Sequence, residues 1–244
     1  MATSSQWRYC ILCHGLFSDE PAAKATSVCP GAQGRDRSHV RKGFRFVLDY
    51  RVAESDRAQR RWRRCIDCNG LFYSGHKGNQ GTCPAGGAHR AHALSPLFAR
   101  DYVLRHGRHE TGEVQTRWRN CWRCQGLYYD GYEDKGACPA GGAHDGHGAE
   151  AGVWSFGLAH PISPRITAFT PDGDDGEWLA HIVASGFTPN SRVDVHGSSG
   201  PSYPETTDDD GGLDIRSPRH TEWNDWGVRL IDEVTGYSAT AGHA

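Results

Sequence analysis

Nine cysteines stand in three sets of three, at 10, 13 and 29, then 65, 68 and 83, then 121, 124 and 138. Each set begins as C-x2-C and ends in a distant Cys. Three thiols cannot pair off within a set and nine is odd, so a purely disulfide framework leaves a thiol over. The close pair reads as a knuckle, and in the second and third sets a His follows the last Cys by six residues, as His89 and His144, within the repeated string CPAGGAH. Cys65, Cys68, Cys83 and His89, and likewise Cys121, Cys124, Cys138 and His144, therefore form Cys3His zinc constellations. The first set departs from this. Arg35 stands six residues after Cys29 and a guanidinium has no lone pair to give a metal. For Cys10, Cys13 and Cys29 the preferred fourth ligand is His39, with His14 as the alternative. His92 and His147, three residues past the CPAGGAH histidines, are a second alternative for the other two sets. Four ligands fill a tetrahedral ion, so two or three structural Zn2+ are expected rather than a catalytic one. Gly15, Gly70 and Gly126, two residues past the second Cys, are read as letting the knuckle turn back so that backbone N–H groups reach the sulfurs, with the positive φ that glycine accepts, and Gly86-Gly87 and Gly141-Gly142 as turning the chain back to bring the His round.

The cysteines mark a longer repeat. WRYCILCHGLF begins at Trp7, WRRCIDCNGLF at Trp62 and WRNCWRCQGLY at Trp118, and each unit closes on an aromatic–aliphatic run: 44–50, 98–106 and 153–160. The units span about residues 7–50, 62–106 and 118–160. Short strands are predicted at Trp-Arg-x-Cys, at Gly-Leu-Phe/Tyr and at the closing run, with a fourth near Cys-Pro. Three such units suit a pseudo-threefold β-trefoil, whose closure leaves no sheet edge; three separate zinc ribbons are the competing layout.

After residue 160 the cysteines stop. Residues 1–160 carry 22 Lys and Arg against 15 Asp and Glu, whereas 161–244 carry 5 against 14. This break divides the chain into a repeat domain, 1–160, and a second domain, 161–244. The second alternates apolar and polar residues between Gly, Pro, Asn and Asp turns, as a small β-sandwich does, with Trp178, Ile182, Val193, Leu213, Trp226 and Tyr237 among its core positions. Its acidic clusters at 171–177 and 206–214 could hold Ca2+ if the loops converged. Neither fits a twelve-residue calcium loop, and solvated turns are the favoured reading.

The unit WRRCIDCNGLFY…CPAGGAH, with WRNCWRCQGLYY…CPAGGAH and the weaker WRYCILCHGLFS…CPGAQGR, resembles a tandem repeat of secreted and surface-associated actinobacterial proteins. The run ASGFTPNSRVDV…TDDDGGLDI…DEVTGYSATA resembles bacterial immunoglobulin-like modules. These resemblances imply an extracellular or surface location and a role in presentation. The opening MATSSQWRYC has no basic and apolar leader, which leaves a cytoplasmic alternative. No apolar run is long enough to cross a membrane as a helix. No nucleophile elbow, P-loop, dinucleotide fingerprint or HExxH motif appears, so the expectation is a non-catalytic module. Its expected partner is a glycan or a protein surface, engaged through Tyr73, Trp122, Tyr128, Tyr129, Tyr132 and Trp154. The runner-up is single-stranded RNA, suggested by Arg and Trp mixed beside zinc knuckles.

Overall fold

The computed structural model describes residues 2–20, 27–91, 100–146, 154–172, 179–197, 202–216 and 227–242, and divides into two compact units, Met1–Pro161 and Ile162–Ala244. Both are built of strands, and no helix occurs among the described residues.

Each repeat supplies three strands: β1 (Ala2–Cys10), β2 (Leu16–Ser18) and β3 (Arg41–Tyr50); β4 (Ala58–Arg64), β5 (Leu71–Tyr73) and β6 (Tyr102–His106); β7 (Val114–Asn120), β8 (Leu127–Tyr129) and β9 (Phe156–Ala159). Within a repeat the first strand pairs with both others. Between repeats the closing strands pair in a pinwheel, the end of each meeting the next: Tyr50 opposite Tyr102, His106 opposite Phe156, Ala159 opposite Val47. The result is one nine-stranded, nearly closed, barrel-like sheet. The fourth strand expected near each Cys-Pro does not form. Tight turns occupy those places, closed by Cys83 N–H to the Gly87 carbonyl and Cys138 N–H to that of Gly142.

The core follows from the repeated Trp. Alternation puts Trp7, Trp62 and Trp118 inside, and each meets the closing aromatic of another repeat edge-on: Trp7 with Tyr102, Trp62 with Phe156, Trp118 with Phe46, at ring separations of 5.0, 5.3 and 5.1 Å. A bulge precedes each Trp and re-aims it, with Arg61 and Arg117 at φ 68° and 62° in the second and third repeats. Gln59 and Gln115 accept the indole N–H of Trp62 and Trp118, whereas Trp7 has Ser4 at that place and its indole N–H has no partner.

His160, next to the end of β9, is 2 % exposed, stacked on Phe44 at 3.7 Å and edge-on to Phe46, and its Nδ1 has no hydrogen-bond partner. Burial holds its pKa down, at about 4. The folded state therefore binds this proton less readily than the unfolded chain does. Its contribution is complete above the unfolded value of about 6.5 and drains away as the pH falls towards 4, at up to about 1.4 kcal/mol per pH unit. His160→Phe is expected to flatten the acid limb of the stability–pH curve over that interval, measured by denaturant titration against the parent chain.

The second unit has two sheets. Strands β10 (Arg165–Asp172), β11 (Leu179–Ser185) and β14 (Leu213–Arg216) form one in the order β10-β11-β14. Strands β12 (Arg192–Gly197), β13 (Tyr203–Thr206), β15 (Gly227–Asp232) and β16 (Ser238–Gly242) form the other, β13-β12-β15-β16. Ile182, Phe187, Val193, Val195 and Leu230 fill the core. Tyr237 does not join it: it sits beyond a turn closed by Gly236, at φ 72°, and is 44 % exposed. Trp178 and Trp226 lie outside the described residues. Asp232 is fully buried, its carboxylate accepting from Thr188 N–H and Oγ1 and from Val234 and Thr235 N–H. Asp232→Ala strands four donors and is expected to destabilise this unit by more than about 3 kcal/mol, read from its unfolding midpoint.

Candidate metal centres

The end of β1 and the Gly-Leu strand β2 form a knuckle whose backbone recurs in all three repeats. Cys10 N–H bonds the Gly15 carbonyl and His14 N–H bonds back to Cys10; Cys65 with Gly70 and Asn69, and Cys121 with Gly126 and Gln125, repeat both bonds. The tight reversal puts a positive φ on His14, Asn69 and Gln125, at 58°, 62° and 61°. This corrects the reading of Gly15, Gly70 and Gly126: none of the three is left-handed. They sit close against the sulfur instead. A Cβ on them would stand 3.4, 3.5 and 3.3 Å from the second Sγ of each knuckle, and Gly126 N–H points at Cys124 Sγ. Gly86, Gly87, Gly141 and Gly142 do take positive φ, at 109°, 69°, 95° and 67°.

The distant loop then delivers the third Cys and the His. Three clusters result: Cys10, Cys13, Cys29 and His39; Cys65, Cys68, Cys83 and His89; Cys121, Cys124, Cys138 and His144, the ligand atoms of each lying within 4.8 Å of one another. The first repeat reaches this geometry by a longer loop. Cys29 N–H bonds the Arg37 carbonyl, as Cys83 bonds Gly87, so four more residues intervene, and Arg35 is carried out to solvent. Ile11, Ile66 and Trp122 N–H groups bond the carbonyls of Val40, Arg90 and Asp145, the residues just after the three histidines, which makes His39 the counterpart of His89 and His144. His14 faces away, its ring against Tyr9 and Tyr132. His92 and His147 lie outside the described residues.

The distances fit one ion per cluster. Cys10–Cys29, Cys65–Cys83 and Cys121–Cys138 sulfurs are 3.7, 3.8 and 3.9 Å apart, and Cys13, Cys68 and Cys124 sulfurs lie 3.5, 3.6 and 3.5 Å from the facing His Nδ1. A tetrahedral Zn2+ with Zn–S about 2.3 Å and Zn–N about 2.0 Å sets S–S edges of about 3.8 Å and S–N edges of about 3.6 Å. A disulfide needs about 2.05 Å, and all nine cysteines are free and buried. The three clusters are thus buried Cys3His sites able to hold a metal ion, in a geometry that suits zinc.

The thiols of each cluster ionise unequally. Hydrogen bonds from Cys13 and Cys29 drive the Cys10 thiol far below its ordinary range, while the same bond to Cys10 holds Cys13 far above it; Cys65 with Cys68, and Cys121 with Cys124, repeat this split. Burial opposes charge on His39 and His144, yet hydrogen bonds to the neighbouring thiols outweigh it and raise each to about 9. A central dication takes the place of the protons in such a cluster.

Two further supports were not read from the sequence. The first aromatic of each Gly-Leu-aromatic string lies flat on the ligand His: Phe17 on His39, Phe72 on His89 and Tyr128 on His144, at 4.5, 4.8 and 4.8 Å. Tyr128 is accordingly buried, and Tyr73 and Tyr129 pack on the core, so of the six aromatics expected at a binding face only Trp122, Tyr132 and Trp154 stand out, 51 %, 54 % and 45 % exposed. The knuckles also lean on one another in a ring. Ser18 N–H bonds the Asn69 carbonyl, Tyr73 that of Gln125 and Tyr129 that of His14, and His39 Nε2 bonds the Cys68 carbonyl.

The acidic cluster at 206–214 folds as a turn in which Asp208 accepts from Asp210 and Gly212 N–H, and most of the 171–177 cluster lies outside the described residues. Among the described residues only the three Cys3His groups assemble ligands for a metal. No known protein family, curated protein or solved structure matches the chain.

Proposed function

We propose that the chain is a zinc-stapled, non-catalytic binding module of the cell surface or exterior, whose repeat domain engages a glycan or protein surface and whose second domain presents it. The carrying observation is the closed donor set, three sulfurs and one imidazole converging in each buried cluster. Such a set leaves the ion no open position for water or substrate, and so suits structure rather than catalysis. The repeat domain is then a β-trefoil variant with three strands per unit, each cap held by Zn2+. Lettered in chain order, the second domain's sheets are A-B-E and C′-C-F-G, the two-sheet division of an immunoglobulin-like sandwich. The exposed rings of Trp122, Tyr132 and Trp154 supply flat faces of the kind sugars stack on. Against RNA, several arginines on and beside the core strands carry acidic partners: Arg60 with Asp101, Arg64 and Arg100 with Glu20, Arg90 with Asp67, Arg105 with Asp49. The test is a glycan array probed with zinc-loaded protein, with single-stranded RNA titrated in parallel at two salt concentrations. Binding on the array abolished by Trp122→Ala or Trp154→Ala supports the reading. A blank array with salt-sensitive RNA binding overturns it.

A further inference from the structure

The repeats carry an arginine directly after the core Trp: Arg8, Arg63 and Arg119. In the third repeat Arg119 Nε lies 2.6 Å from Asp130 Oδ2, and Lys135 Nζ is 2.8 Å from the other oxygen. Asp130 is the residue immediately after β8. The residue in that place after β2 is Asp19, but after β5 it is Ser74. The middle repeat keeps the guanidinium and drops the carboxylate.

What remains there is an unmatched cation. Arg63 is half-buried, and its Nε is enclosed without a hydrogen-bond partner. Ser74 does not turn to it, since its hydroxyl donates to the Arg61 carbonyl. Asp101, Asp67 and Glu20 are taken by Arg60, by Arg90, and by Arg64 with Arg100. Residues 92–99, HALSPLFA, lie outside the described residues and include no carboxylate. The Arg61 guanidinium is turned elsewhere, donating to the Gly75 carbonyl, while its backbone N–H donates to Asp101. A guanidinium presents a planar fork matched to an oxyanion, and an enclosed N–H left unpaired costs free energy.

We propose that the middle repeat holds a binding site for a single oxyanion group, a carboxylate, sulfate or phosphate, seated on Arg63 where the third repeat seats its own Asp130. One guanidinium flanked by the ion-paired Arg60 and Arg64 fits one charged substituent better than a phosphodiester track, which calls for a continuous basic groove. The carrier is accordingly an acidic glycan; that last step rests on the glycan reading above.

The experiment uses the full zinc-loaded chain. Its thermal midpoint is followed against sodium sulfate and sodium phosphate, with chloride at matched ionic strength as reference. Titrations follow with a uronate oligosaccharide, a sulfated oligosaccharide, a neutral oligosaccharide and single-stranded RNA. The expected result is stabilisation by the oxyanions beyond chloride and tighter binding of the acidic sugars than of the neutral one. Ser74→Asp restores the third repeat's internal pair and is expected to keep the metal content while weakening oxyanion binding at least tenfold. Arg63→Gln should do the same, and decides the matter if Ser74→Asp does not fold. No stabilisation beyond chloride, or an undiminished response in either folded variant, overturns the site. An oxyanion response lost in Ser74→Asp, without preference for acidic sugars, keeps the site and overturns the glycan carrier. RNA binding abolished by the same variant reassigns the carrier to nucleic acid.

Discussion

Stripping the metal is expected to unfold the repeat domain while leaving the second unit's own unfolding transition in place. The interior under the knuckles is made of sulfur: around each of Phe17, Phe72 and Tyr128 the buried neighbours are the three cysteines of that repeat. Three protonated thiols and an imidazole do not hold a tetrahedron, and each knuckle carries a non-glycine residue at positive φ that only surrounding contacts maintain. Structural zinc in small folding units contributes about 10–16 kcal/mol per site at neutral pH, comparable to the whole stability of an ordinary domain. Chelator in excess, with reductant present to keep the thiols reduced, should therefore abolish the near-ultraviolet dichroism of Trp7, Trp62 and Trp118. The repeat domain's cooperative thermal transition should vanish with it, and both should return on adding Zn2+. Residues 162–244 contain no cysteine and should melt as before. Because the ligands bind in their deprotonated forms, acid acts in the same direction and releases the ions as the pH falls. Metal analysis finding fewer than two ions per chain, with sulfurs oxidised into bridges and a fold indifferent to chelator, would remove the basis of the functional reading.

The metal clusters were legible because their ligands differ in kind from everything around them. Cysteines and histidines at fixed offsets survive translation into three dimensions, and even the aberrant first repeat left His39 as the natural substitute for Arg35. The knuckle glycines were legible in part: the approach of a backbone N–H to sulfur occurs at Gly126, but the left-handed turn falls one residue earlier, on His14, Asn69 and Gln125. Spacing marks a tight place without saying which residue of it turns left-handed. The aromatic recurring after Gly-Leu was visible, but its stacking on the ligand imidazoles, as Phe17, Phe72 and Tyr128, was not. Whether such a ring faces solvent or a partner is decided by long-range pairing, which local pattern does not carry. The same holds for Tyr237, whose apolar ring sits in a run that alternates like a strand but is turned outward at a Gly. The fourth strand near Cys-Pro failed for a related reason: Gly-Gly turns satisfy the backbone there without any ladder.

Disturbing one knuckle is expected to weaken the metal held by the next, because the three sites form a closed ring. Gly81, two residues before Cys83 in the second repeat, is pressed onto the third repeat, and a Cβ there would lie 2.0 Å from the Cys124 carbonyl oxygen. Gly136 holds the matching place in the third repeat, its added Cβ 2.5 Å from the Cys13 carbonyl of the first. His39 closes the remaining gap through its bond to the Cys68 carbonyl, 3.2 Å long. Each loop thus supports the second cysteine of the following knuckle, and the backbone bonds from Ser18, Tyr73 and Tyr129 run in the same sense. Gly81→Ala replaces no ligand, yet it forces the loop off Cys124 and strains a residue at φ 68°. Partners of metal ligands are worth about 10–100-fold in affinity, so the ion held by Cys121, Cys124, Cys138 and His144 should dissociate at least tenfold faster. Gly86→Ala is the control, since it too sits at positive φ but an added Cβ meets nothing within 4 Å. His144→Ala carries the same logic further and should lower the bound zinc by more than the one ion whose ligand it removes. Both are read by chelator-competition kinetics with a chromogenic zinc indicator. Three independent sites would instead give Gly81→Ala the release rates of Gly86→Ala and leave His144→Ala short of a single ion, and that result would replace the ring with three separate clamps.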